Sequence, residues 1–189
     1  NVEKNEKGIT CLHGGGELST AVWKAIIVDD NSLEMLYTSP DGAMGFPGKV
    51  DFKVTFTLFL FYSLKVDYFA VSDKKTVINM TNHAYFNLAG KGDILSHELM
   101  INADAYTPVD EDSIPTGEIR PVEGTPFDFR IAKPIGKDID AADDQLAIGR
   151  GYDHNFCLND GEGPIATAYD PESGRFLEVF TDLCGVQLY

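Results

Sequence analysis

From Val50 the chain alternates without a break: Val50, Phe52, Val54, Phe56 and Leu58 are apolar, and Asp51, Lys53, Thr55 and Thr57 between them are polar. Successive side chains on a strand point to opposite faces, so a strict period of two commits this stretch to a half-buried β-strand. Residues 64–68 repeat the alternation, 76–80 are rich in β-branched side chains, and 98–101, 176–181 and 186–189 supply further strand candidates. Turn-forming runs stand between them, among them Ser39-Pro40-Asp41-Gly42, Gly90-Lys91-Gly92-Asp93, Pro115-Thr116-Gly117 and Asp160-Gly161-Glu162-Gly163. The expected fold is all-β, a large sandwich or barrel of antiparallel sheets, with residues 140–148 the one short helical possibility. No repeat, low-complexity tract or linker divides the chain, so residues 1–189 read as a single domain or a piece of one. Residues 108–134 carry five prolines and little periodicity, and read as an ordered excursion over a sheet.

Charge narrows the partners. Thirty acidic against 15 basic side chains give a formal charge of −15, which repels phosphate backbones and anionic lipid, so no nucleic acid and no membrane surface is expected. Three cysteines, Cys11, Cys157 and Cys184, are an odd number without framework spacing and read as reduced thiols of a cytoplasmic protein. The first seven residues lack the apolar core of a signal peptide, and the longest apolar stretch, Leu58-Phe59-Leu60-Phe61-Tyr62, is too short to cross a bilayer. A soluble protein is expected.

Four histidines offer proton chemistry. His83 lies in Thr81-Asn82-His83-Ala84-Tyr85-Phe86-Asn87-Leu88, where an expected strand over 76–80 runs out. Its ring is either a positioned proton donor among amide groups or a core histidine satisfied by backbone. His13, in Leu12-His13-Gly14-Gly15-Gly16, sits on a loop whose glycines either let the backbone approach a ligand or simply make a turn. Gly151-Tyr152-Asp153-His154-Asn155-Phe156 sets a carboxylate beside an imidazole, a pair able to hold a metal, relay a proton or grip vicinal hydroxyls. Neighbours on a strand face opposite ways and no His-x-His or Cys-x-x-Cys spacing appears, which disfavours metal. Gln187, between Val186 and Leu188, is either an outward polar residue or a ligand-binding amide. His97, in Ser96-His97-Glu98, reads as solvated, and Asp110, Glu111 and Asp112 read as a solvated charge cluster.

Taken in order, the segments around His13, His83, Asp153 and Gln187 resemble the aldose 1-epimerase (galactose mutarotase) family, as do Trp23, ten residues after His13, Tyr106-Thr107-Pro108-Val109-Asp110-Glu111 and Ile114-Pro115-Thr116-Gly117. The resemblance runs from His13 to Tyr189. It implies the large antiparallel β-sandwich of that family, the galactose mutarotase-like supersandwich, and an enzyme that interconverts the α and β anomers of free aldohexoses such as D-galactose and D-glucose. It makes His83 the general acid that protonates the ring oxygen, and His13, Asp153, Gln187 and Asn82 the sugar-contacting groups, with His154 structural. It also implies that this chain is incomplete at both ends. Family members begin earlier, with an Asn-Arg pair that reaches the sugar, and continue to a strand bearing the general-base glutamate, so these 189 residues are expected to belong to a longer protein.

The implied reaction needs only an acid and a base, each worth on the order of 10² to 10⁴ in rate, so neither cofactor nor metal is expected. The expected partner is a small aldose, bound by a monomer or weak dimer. Three rivals stand beside this reading. A noncatalytic sugar-binding module would keep His13, Asp153 and Gln187 without a base. A glycoside hydrolase would use two carboxylates, Asp153 with Glu111 being the pair to test. A purely structural sandwich would show no stabilisation by sugar.

Overall fold

The computed structural model describes residues 1–189, whose contacts divide into two compact units, Asn1–His83 and Ala84–Tyr189. In the first, four strands form an antiparallel meander: β1 (Lys24–Asp29), β2 (Ser32–Ser39), β3 (Val50–Phe59) and β4 (Ser63–Ser72), in the order β1-β2-β3-β4. The alternating segment is β3, a central strand. Val50, Phe52 and Val54 are buried, and Ser39, Tyr37 and Met35 of β2 stand directly opposite them on the same face. Trp23 packs its ring on Tyr37 and Phe52, at 5.5 and 6.4 Å between centroids, and completes this small core.

Beyond Phe56 the alternation keeps its register but ceases to bury anything. Leu58, Phe59 and the tip residues Leu60, Phe61 and Tyr62 are all exposed, and Phe61 and Tyr62 carry positive φ of 64° and 62°. Asn31, in the β1–β2 turn, fastens this end of β3 by giving its side-chain N–H to the Leu58 carbonyl at 2.7 Å. β1 is an edge strand with Ile27 and Val28 exposed, and its sequence lacks the alternation that marks β3. Residues 76–80, expected as a strand, join no sheet. Their β-branched side chains favour extended backbone, but a strand needs a ladder partner, and β4 pairs only with β3 here.

The second unit is a sandwich in small. One sheet has the order β11-β10-β5-β8 and the other β12-β9-β6-β7. Their strands are β5 (Glu98–Ile101), β6 (Ala105–Thr107), β7 (Arg120–Pro121), β8 (Lys133–Pro134), β9 (His154–Cys157), β10 (Ala166–Tyr169), β11 (Phe176–Val179) and β12 (Gly185–Leu188). Both sheets feed one buried cluster, with Leu99, Ile101 and Ala166 from the first and Tyr106 and Phe156 from the second. All strand pairs in both units are antiparallel. The all-β antiparallel expectation holds.

The proline-rich stretch over 108–134 is ordered, yet it does more than cross a sheet. It drives Val122, Phe127 and Phe129 into the centre of the cluster, where Phe127 stacks on Tyr106 at 4.4 Å and Phe129 meets Tyr152 edge-on at 5.2 Å. The expected helix is short: α2 (Asp144–Gly149), the second after α1 (Glu17–Thr20), is capped by Asp143, whose carboxylate accepts the N–H groups of Gln145 and Leu146. No helix is long and apolar enough to cross a membrane. All three cysteines are free thiols.

Candidate active site

In the first unit the chain reaches His13 through a tight left-handed run. His13, Gly14, Gly15 and Gly16 all have positive φ, from 50° to 85°, a region open to glycine and costly for other residues. At Gly15 the requirement is also steric, because a Cβ there would come within 2.8 Å of Met44 Cγ. Asn5 holds the loop's start, giving its amide N–H to the Leu12 carbonyl and accepting the Leu12 N–H, at 3.0 and 2.8 Å.

The loop's end is held by Glu17, which the motif reading passed over. Its carboxylate accepts the Tyr37 hydroxyl at Oε1 and the Ser39 hydroxyl at Oε2, each at 2.8 Å, so α1 is pinned to β2. That bond, before burial and charge, holds the Tyr37 phenol above its ordinary pKa. The Trp23 indole donates to the Leu18 carbonyl at 3.0 Å and fastens the same turn from the other side.

These contacts set one wall of a pocket of about 130 Å³, lined by His13, Glu17, Ser39, Phe52 and the 76–80 segment. His13, one of the lining residues, also meets His83, their ring centroids 5.0 Å apart and their planes inclined by 61°. Two imidazoles separated by seventy positions in the sequence thus stand edge to face on exposed irregular chain. Asn82 is likewise exposed beside His83.

The second unit brings together the other two expected contacts. Gln187 on β12 gives an amide N–H to Asp153 Oδ1 at 2.8 Å. Gln187 is exposed while Val186 and Leu188 pack against the core, as period-two alternation requires. At Gly185 a Cβ would lie 2.3 Å from Asn155 Oδ1, so a side chain there would require the Asn155 amide to move. The result is a carboxylate and an amide held together at the surface, with donors and acceptors that suit adjacent hydroxyls.

His154 points the other way, into the core. It is fully buried, between the edges of Tyr106 and Phe127. Its Nδ1 accepts the Asp153 N–H at 3.2 Å, so Nε2 carries the proton and donates to Gln145 Oε1 at 3.1 Å. Gln145 also bonds both backbone groups of Val109. Burial lowers the pKa of His154, against the pull of Asp153 and Asp143. Its role is structural, and it sets the alternation that turns Asp153 outward.

Within residues 81–88, Asn87 is architectural. Its side chain accepts the N–H groups of Ala89 and Gly90 and donates to the carbonyls of Lys91 and Gly92, which spends the amide on its own turn. His97, expected in solvent, is buried, and its Nε2 accepts the Leu88 N–H at 3.0 Å. A lone histidine in a polar context gives no sign of a backbone partner nine residues away. Glu111 lies on an exposed turn where Asp110 Oδ1 accepts the N–H groups of Asp112 and Ile114. No three His, Cys, Asp or Glu side chains converge as a metal site. A larger hollow of about 540 Å³ beside α2 is lined by Asp140, Asp143, Asp144, Arg150 and Gly151, and holds none of the four expected sugar-contacting residues.

Antiparallel sheets, a histidine on a left-handed glycine loop beside a second histidine, and an exposed carboxylate–amide pair define an all-β protein with polar groups held at its surface. The comparisons give that class a family. The pattern described as Aldose 1-epimerase matches residues 1–189, and the chain belongs to the aldose 1-epimerase family. It is 44% identical to a galactose mutarotase of Rattus norvegicus over 94% of its length, and 41% identical to an aldose 1-epimerase of Haemophilus influenzae over 94%. In structure it is similar to the GalM/aldose epimerase homologue from C. elegans, with a TM-score of 0.81 and 28% identity over 91% of this chain and 52% of that one. A galactose 1-epimerase from Lactobacillus acidophilus gives 0.74 and 35% over 79% of this chain and 45% of that one. The chain spans about half the length of the curated relatives it matches, 52% and 53% of the two named.

Proposed function

We propose that this chain carries the acid-bearing part of an aldose 1-epimerase, and that the whole protein interconverts the α and β anomers of free aldohexoses such as D-galactose and D-glucose. The observation that carries the reading is the approach of His13 and His83 to 5.0 Å, on the two segments that most resemble the family.

In this mechanism His83 delivers a proton to the ring oxygen while a glutamate from outside the 189 residues removes the proton of the anomeric hydroxyl. The bond between the ring oxygen and the anomeric carbon breaks, and a carbonyl forms. Rotation about the C1–C2 bond presents the other carbonyl face, and ring closure returns each proton to its source. No electrons leave the sugar, so acid, base and substrate balance the step. His13 lies beside His83 to hold a hydroxyl near the ring oxygen. Asp153, Gln187 and Asn82 hold further hydroxyls, with the 2.8 Å bond between Gln187 and Asp153 presetting amide and carboxylate. Preset donors need no reordering as the sugar arrives, which lowers the cost of binding.

The same reading takes residues 1–189 as part of one domain, which a family match running across both units supports. It also takes the protein as cytoplasmic, working on free sugar as a monomer or weak dimer. The names of the relatives, galactose mutarotase among them, support galactose as a substrate. Polarimetric relaxation of freshly dissolved α-D-galactose tests the proposal, run with this chain and with the complete gene product against the uncatalysed rate. Acceleration by the longer protein alone is expected. Sugar binding without acceleration by either would replace the enzyme with a binding module.

A further inference from the structure

Leu88 closes the segment that bears His83, and side chains from two distant parts of the chain take both of its backbone polar groups. Its N–H donates to His97 Nε2 at 3.0 Å, and its carbonyl accepts Arg175 Nη1 at 2.8 Å and Ser173 Oγ at 3.3 Å. A backbone N–H can only donate, so Nε2 is the acceptor and the neutral ring carries its proton at Nδ1. That Nδ1 is buried with no hydrogen-bond partner. His97 itself is only 2% exposed. Its N–H donates to the Ile94 carbonyl and its carbonyl accepts the Ile135 N–H, each at 3.0 Å, which binds it into the turn before β5 and to the residue that follows β8.

The other half of the clamp is equally well founded. Ser173 and Arg175 lie in the turn between β10 and β11, and the buried Asp170 holds that turn by accepting the N–H groups of Glu172 and Ser173 at 3.3 and 3.0 Å. Burying an imidazole with one nitrogen unsatisfied costs stability that an apolar side chain would not cost. The contact that compensates is the acceptor offered to Leu88, at a point where neither strand pairing nor helix supplies one. Leu88 is therefore tied from both sides to the two strand pairs of one sheet, β5–β8 and β10–β11.

We propose that His97 is a positioning residue for the reaction: it fixes Leu88 and, through five residues of continuous chain, the reach of His83. This rests on reading His83 as the acid. Displacing a reacting group by about 1 Å costs on the order of 10²-fold in rate, so a small slackening at Leu88 has a measurable effect.

The test uses the complete gene product. His97→Leu removes the acceptor, and His97→Gln restores one, with Oε1 reaching the place of Nε2. Arg175→Met removes the shorter of the two bonds to the Leu88 carbonyl, at an exposed position, and leaves the core alone. The expected result is a fall in kcat of about 10- to 100-fold for His97→Leu with KM little changed, recovery of most of it in His97→Gln, and a smaller fall in the same direction for Arg175→Met. Hydrogen exchange at the Leu88 amide should be slow in the parent and in His97→Gln and fast in His97→Leu. An unchanged kcat in both His97→Leu and Arg175→Met overturns the proposal, as does a folded His97→Gln as impaired as His97→Leu. If His97→Leu fails to fold, the Gln variant and Arg175→Met still decide. A parent protein that does not accelerate mutarotation removes the acid reading itself, whereas an active parent with insensitive variants removes only the clamp.

Discussion

His13 and His83 lie with ring centroids 5.0 Å apart, although seventy positions separate them. Neither is on a strand. One stands on a left-handed loop pinned to β2 through Glu17, the other on irregular chain that follows the 76–80 segment, which lines the same pocket as His13. In the proposed mechanism one ring of this pair donates the proton and the other orients a hydroxyl.

Replacing His83 by alanine in the complete gene product should therefore lower mutarotation by ~10² to 10⁴ while leaving galactose binding largely intact. Polarimetry and a binding titration on the same sample separate the two effects. A turnover equal to the parent's would remove His83 as the acid.

The bond from Gln187 to Asp153 predicts coupling between them. Gln187→Leu and Asp153→Ala should each weaken galactose binding by about tenfold, the range of a lost hydrogen bond to a charged group. Together they should weaken it by less than the product, because each already breaks the shared contact. Calorimetric titration of the four proteins measures the coupling; strict additivity would mean that the two act apart.

Gly15→Ala tests the loop that carries His13. A Cβ at φ 83° is strained and would lie 2.8 Å from Met44 Cγ, so a loss of about 1–3 kcal/mol in unfolding free energy is expected. Adding Met44→Ala should return the part of the collision made by Cγ and Sδ, but neither the contact with Met44 Cβ at 2.9 Å nor the backbone strain. Urea unfolding of the single and double variants reads the two parts; full recovery in the double variant would place the whole cost in the collision.

His154 makes stability depend on pH in a stated direction. Burial lowers its pKa below the ordinary 6.5, so below that value the unfolded chain binds a proton that the folded protein refuses. Stability from this group is complete above about pH 6.5 and declines as the pH falls toward the lowered folded value. In His154→Phe the ring still fits against Phe127, and Gln145 Oε1 keeps the Val109 N–H. Melting curves from pH 7.5 to 5.5 should fall less steeply for this variant than for the parent, and parallel falls would show that His154 does not contribute.

Much of this was legible in the chain. The alternation from Val50 pointed to β3 and to the face on which Val50, Phe52 and Val54 are buried, because a period of two has one structural solution, whereas its pairing with β2 and β4 was not legible there. The spacing Val186-Gln187-Leu188 set Gln187 outward for the same reason, and Asp153 and His154, as neighbours, were bound to face opposite ways. The order of motifs was enough to point to the family. Residues 76–80 show where local preference stops: their composition suits a strand, but a ladder needs a partner, and none stands beside them.

What only the tertiary structure decided are the relations between residues far apart in sequence. Glu17 reads as a surface acid until Tyr37 and Ser39 are seen to donate to it, and His97 reads as solvated until the Leu88 N–H is found against it. The prolines over 108–134 suggest a loop, yet Phe127 and Phe129 fill the core, because burial depends on what packs from both sheets and not on local periodicity. Sequence determines which faces and groups are available; which of them meet is settled by long-range packing.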